Sequence, residues 1–145
     1  MKTIKSNLFS GHTFSFLIIM LAVFFLPACK EIKFLTSSVV PAAEGSVKIK
    51  KDKNNNYNIE ISIIRLAEPE RLSPSKKMYV VWIDTDGGIK NIGQLNTSSG
   101  FLSKTLKSSL KTVSSFKATS IFITAEDNAN IQYPGTQVVL KTATF

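Results

Sequence analysis

Tyr57-Asn58-Ile59-Glu60-Ile61-Ser62-Ile63 places an apolar side chain at every second position. That period of two describes a strand with one face buried. Just upstream, Val47 and Ile49 alternate against Ser46, Lys48 and Lys50. The polar run Asp52-Lys53-Asn54-Asn55-Asn56 between the two stretches tolerates left-handed backbone, so the pair predicts an antiparallel hairpin. Downstream, a loop from Glu68 to Lys77 holds Pro69 and Pro74 and leads into Met78-Tyr79-Val80-Val81-Trp82-Ile83. That run is almost wholly apolar, as a central strand covered on both faces requires. Asp84-Thr85-Asp86-Gly87-Gly88 then turns the chain into Ile89 to Leu95.

Phe101 to Val113 is double-edged: Leu102, Leu106, Leu110 and Val113 fall at helical spacing, while its Ser and Thr content favours strand and loop, the reading adopted. Ala118 to Ala125 and Thr136 to Thr142 read as two more strands, separated by a loop through Tyr133-Pro134-Gly135. Short strands with turn residues between them predict an all-β protein, an antiparallel immunoglobulin-like β-sandwich over residues 44–145.

Composition agrees with one compact domain. The chain has 145 residues, 43% hydrophobic and 10% aromatic, with a single cysteine. Such apolar content excludes a disordered or collagen-like chain, and one cysteine excludes a disulfide scaffold. The only long apolar run, Phe14 to Phe25, excludes a multi-span membrane protein built of helices.

That run sits behind Lys2 and Lys5 and ahead of Leu26-Pro27-Ala28-Cys29, the layout of a secretory signal. Twelve helical residues cover about 18 Å, short of a hydrocarbon core of about 30 Å. Leu26-Pro27-Ala28-Cys29 resembles the lipobox of bacterial lipoproteins. The resemblance implies a signal peptide over 1–28, cleaved before Cys29, and diacylation of the Cys29 sulfur. It also implies an acylated tether over 29–43 and attachment of the chain to the membrane through acyl chains. The implied place is the bacterial envelope, with the outer membrane favoured over the inner and its two faces both open.

Cleavage would remove two of the 18 basic residues, none of the 10 acids, and the only histidine, His12, leaving a net charge of +6. Without histidine, and with its cysteine acylated, the mature chain has no Ser-His-Asp or Cys-His catalysis and no His/Cys zinc or haem ligation. No catalytic residue and no cofactor is expected.

Tyr79-Val80-Val81-Trp82-Ile83-Asp84, followed by Asp86-Gly87-Gly88 and Ile92-Gly93, resembles the Tyr-x-x-Trp strand, glycine turn and return strand of the anti-sigma-K factor C-terminal domain. Ile121-Phe122-Ile123-Thr124-Ala125-Glu126 and Pro134-Gly135-Thr136-Gln137-Val138-Val139-Leu140 are similar to that family's closing strands. The match spans roughly residues 78–142 and implies an extracytoplasmic β domain that meets a protein partner. The family's cytoplasmic sigma-binding segment has no counterpart here, since Met1 to Thr13 is too short, so direct sigma-factor inhibition is not carried over.

Among candidate sites, Asp84-Thr85-Asp86-Gly87 resembles the opening of a calcium loop, but the next ligand position falls on Gly88 and the glycine position on Ile89. A hairpin turn is the better reading. Glu126-Asp127 forms a second acidic loop, so Asp84, Asp86, Glu126 and Asp127 are weak candidates for a metal-assisted hydrolase. Tyr57, Tyr79, Trp82 and Tyr133 are candidates for stacking on sugars in a carbohydrate-binding module, with Trp82 better suited to the core. Nucleic acid is excluded as a partner of an exported, anchored domain. The expectation is a non-catalytic, lipid-anchored module that binds an envelope protein.

Overall fold

The computed structural model describes residues 31–100 and 103–145. They form nine strands: β1 (Glu31–Lys33), β2 (Glu44–Lys51), β3 (Tyr57–Ile64), β4 (Met78–Asp84), β5 (Lys90–Gln94), β6 (Asn96–Gly100), β7 (Ser103–Ser114), β8 (Ser120–Glu126) and β9 (Val138–Lys141). The only helical element among the described residues is a 3-10 turn at Pro69–Arg71. Two antiparallel sheets result, ordered β1-β2-β3-β7-β6 and β5-β4-β8-β9. The predicted hairpin is β2–β3, with Val47 opposite Ile61 and Ile49 opposite Ile59. Its turn closes through the Asp52 carboxylate, which accepts the N–H groups of Asn54 and Asn56 at 2.8 and 2.9 Å.

Alternation then builds the interior. Val47, Ile59, Ile61, Ile63 and Leu110 from the first sheet share one buried cluster with Tyr79, Val81, Ile83, Ile121, Ile123 and Leu140 from the second. Each such aliphatic side chain stabilises the fold by about 1.5–3 kcal/mol when fully withdrawn from water. β4 is covered on both faces, as its unbroken apolar run predicts. Tyr79, Val81 and Ile83 face the shared core, while Val80 and Trp82 join Phe122 in a second cluster capped by Met78 and Ile131. The Phe101 to Val113 stretch resolves as strand where it is described: β7 runs from Ser103 and pairs with both β3 and β6.

The sheets are stitched together at both sides. β5 ends at Gln94, Leu95 is buried at the corner with its N–H on the Tyr79 carbonyl (3.0 Å), and the chain re-enters the other sheet as β6. On the opposite side, the segment read from sequence as a tether contributes structure of its own. Glu31–Lys33 pairs with β2, and then Phe34 bridges to Thr142 and the Leu35 N–H reaches the Lys141 carbonyl at 2.8 Å. Ser37 donates to the Val139 carbonyl, and Val40 and Ala43 are buried. Gly45 permits that crossing: a Cβ there would meet Ile63 Cγ1 at 2.8 Å, the Ser62 carbonyl at 2.9 Å and the Phe34 ring at 3.1 Å.

Two ends are thereby defined. The near end carries the β2–β3 turn, the β4–β5 turn and residues 115–119, the last two joined by the Thr119 N–H on the Asp84 carbonyl at 2.8 Å. The far end carries the loops 65–77 and 127–137.

Candidate interaction surface at the far end

β4 and β8 pair with Met78 opposite Glu126 and Asp84 opposite Ser120. Six residues of strand separate those two registers, about 20 Å. The four weak metal candidates are therefore split, Asp84 and Asp86 at the near end and Glu126 and Asp127 at the far end. Asp84 and Asp86 belong to a hairpin turn closed by Thr85, whose Oγ1 donates to the Gly88 carbonyl (2.6 Å) and accepts the Gly87 N–H (3.2 Å). Among the described residues, no three acid, histidine or cysteine side chains converge on a common point. Leu26, Pro27, Ala28 and Cys29 lie outside the described residues.

Glu126 and Asp127 instead join the two far-end loops. Glu126 is 7% exposed and its Oε1 accepts the Gly135 N–H at 2.7 Å. Its carbonyl accepts the Lys77 N–H at 3.0 Å. Next along the chain, Asp127 pairs with Lys76 Nζ at 2.7 Å, and Gln137 Nε2 reaches the Ser73 carbonyl at 3.4 Å. The hydrogen bond to Asp127, with the added pull of the Asp127 and Glu126 charges, holds the Lys76 ammonium above the usual lysine range. The 127–137 loop is fixed from inside as well. Asn91 Nδ2 donates to the carbonyls of Ala129 (2.8 Å) and Ile131 (3.0 Å), and Ile131 covers the Trp82 cluster.

The other loop is tied down by Tyr79, whose hydroxyl donates to the Ala67 carbonyl at 2.9 Å. Burial, with the nearby Glu70 charge, pushes that phenol up to about 12. Leu66 is buried, and Glu68 pairs with Arg71 at 3.1 Å across the 3-10 turn. Between this loop and β6 lies an open depression of about 750 Å³, flanked by Glu68, Glu70, Lys77, Asn96 and Thr97. Its rim mixes both charges with amides and hydroxyls, the make-up of a polar docking surface.

The aromatic candidates separate in the same way. Trp82 is fully buried, stacked on Phe122 with ring centres 6.3 Å apart, and donates Nε1–H to Thr124 Oγ1 at 2.8 Å. Tyr79 is buried and Tyr57 lies under Lys51 at 5.9 Å. Only Tyr133, 82% exposed on the 127–137 loop, presents its ring to solvent among these four. Sequence reasoning flagged Glu126 and Asp127 but missed Lys76 and Gln137, whose partners lie 51 and 64 residues away, and Gly135, whose partner Glu126 lies nine residues back across the 127–137 loop. No family model, curated protein or solved structure matches the chain.

Proposed function

We propose that the chain is a lipid-anchored protein of the bacterial envelope, acylated at Cys29, whose mature part binds an envelope protein without catalysing a reaction. In this reading the two sheets form an immunoglobulin-like sandwich related to the extracytoplasmic domain of anti-sigma-K factors. The observation that carries the proposal is the position of β1. Glu31, two residues after Cys29, is already paired with Lys48 in the body of the fold. An acylated Cys29 would hold a rigid scaffold against the membrane and turn the 65–77 and 127–137 loops outward, where a partner is met. Loops fixed on a rigid scaffold are the usual carriers of recognition.

Two measurements test the proposal. Cys29→Ser moves the protein from the membrane to the soluble fraction, and unchanged fractionation refutes the anchor. A photo-crosslinking residue at Tyr133 or Glu70 captures one reproducible envelope protein in intact cells, and capture of none, or of the same species from a near-end position such as Asn54, refutes the far-end surface.

A further inference from the structure

We propose that the near end of the domain docks on an anionic bilayer surface, so that the anchored protein stands upright with its far-end loops away from the membrane. The inference deepens the proposed function and rests on its reading of Cys29. Chain direction is the first support. β1 runs antiparallel to β2 with Glu31 opposite Lys48 and Lys33 opposite Ser46, so β1 starts on the side of Lys50, Lys51 and the β2–β3 turn. Two residues span at most about 7 Å, so under the proposed reading the acyl chains are attached within that reach of Glu31.

Charge is the second support. Lys50, Lys51, Lys53, Lys90 and Lys117 lie at the near end, and among the described residues none of them is in an ion pair. Of the four ion pairs among the described residues, Glu44–Arg65, Glu68–Arg71 and Lys76–Asp127 lie at the far end. Lys51 and Lys90 rest over the rings of Tyr57 and Phe116 at 5.9 and 5.5 Å, an arrangement that leaves an ammonium open to a further anion. Of the near-end acids, Asp52 is turned onto the backbone of its own turn, while Asp84 and Asp86 share the β4–β5 hairpin with Lys90. The five lysines outnumber these three acids, so the near end carries net positive charge.

Exposed apolar side chains are the third support: Val113 is 59% exposed, Phe116 51% and Ile89 44%, all at this end. Lysines interleaved with exposed apolar groups, added to acyl chains, are the combination that holds a surface to anionic headgroups.

The test uses the lipidated mature protein, its N-terminal acylation verified by mass, in phosphatidylcholine vesicles with or without phosphatidylglycerol. Amide hydrogen exchange is followed over residues 50–57, 113–119 and 127–137. The expected result is slower exchange in the first two segments on anionic vesicles only, with 127–137 unchanged. Replacing Lys51→Gln and Lys117→Gln together lowers the docked-to-undocked ratio about 30-fold, the equivalent of about 1 kcal/mol per lysine. An N-terminus without acyl groups overturns the anchor and the docking together. Acylated protein with the same exchange on both vesicle types, or with protection at 127–137 instead, overturns the docking alone.

Discussion

Adding one methyl group at Gly135 tests how the far-end loops are held. A Cβ there would lie 2.8 and 2.9 Å from the two Glu126 carboxylate oxygens and 3.2 Å from Cδ. Glu126 is 7% exposed and its Oε1 takes the Gly135 N–H at 2.7 Å, so the carboxylate has little room to swing aside without breaking that bond. Losing a hydrogen bond to a charged group costs about 1.5–3 kcal/mol. Relieving the overlap by shifting the loop costs about 1–3 kcal/mol in a well-packed site. Because one displacement relieves the overlap and breaks the bond together, the two costs overlap, and Gly135→Ala is expected to destabilise the domain by about 2–4 kcal/mol. At about 4 °C per kcal/mol for a domain of this size, Tm falls by roughly 8–16 °C. Thermal and urea unfolding measure the loss. A double-mutant cycle isolates its cause: in a Glu126→Ala background the methyl has space, and Gly135→Ala should cost only a few tenths of a kcal/mol. An equal cost in both backgrounds would refute the reasoning.

The remaining predictions follow from other contacts. Thr124→Val leaves Trp82 Nε1–H without its partner inside a fully buried cluster, and unfolding should show a loss of about 1–3 kcal/mol, with less than 0.5 kcal/mol counting against the assignment. Because the Tyr79 phenol is pushed up to about 12, the folded state keeps it neutral where the unfolded chain, near 10, ionises. Stability from this group is thus fully present below about pH 10 and lost between about 10 and 12, and a Tyr79→Phe variant should lose less stability across that window. The split between Asp84–Asp86 and Glu126–Asp127 predicts that millimolar calcium leaves Tm unchanged, and a rise that grows with calcium concentration would contradict it.

Legibility in the sequence followed how local each signal was. Ile59, Ile61 and Ile63 declare their strand within seven residues, and Met78 to Ile83 declares a strand covered on both sides. β6 does not, because Asn96-Thr97-Ser98-Ser99-Gly100 is a strand only through its pairing with β7. β1 is three residues long, and its partner Ser46-Val47-Lys48 lies beyond a ten-residue excursion, so nothing within the segment distinguishes it from a tether. Leu95 gives no sign that it is the corner where the chain changes sheets. The acidic residues were visible as residues but not as parts. Whether Glu126 meets Asp84 or Gly135 is decided by strand direction and loop path, neither of which composition records.

The seam between the first and last described strands also sets how the domain takes a load. Phe34 donates to the Gly45 carbonyl and Leu35 to the Lys141 carbonyl, so the incoming chain is gripped by both sheets at once and runs along the strand axes. A tug on the N-terminal side of Glu31 is directed along β1, which slides against β2 instead of peeling away from it, while Phe34 and Leu35 hold to Thr142 and Lys141. In that shearing geometry the hydrogen bonds must yield together and not one after another. Such a pull therefore meets the combined resistance of the β1–β2 ladder and the Leu35–Lys141 hydrogen bond.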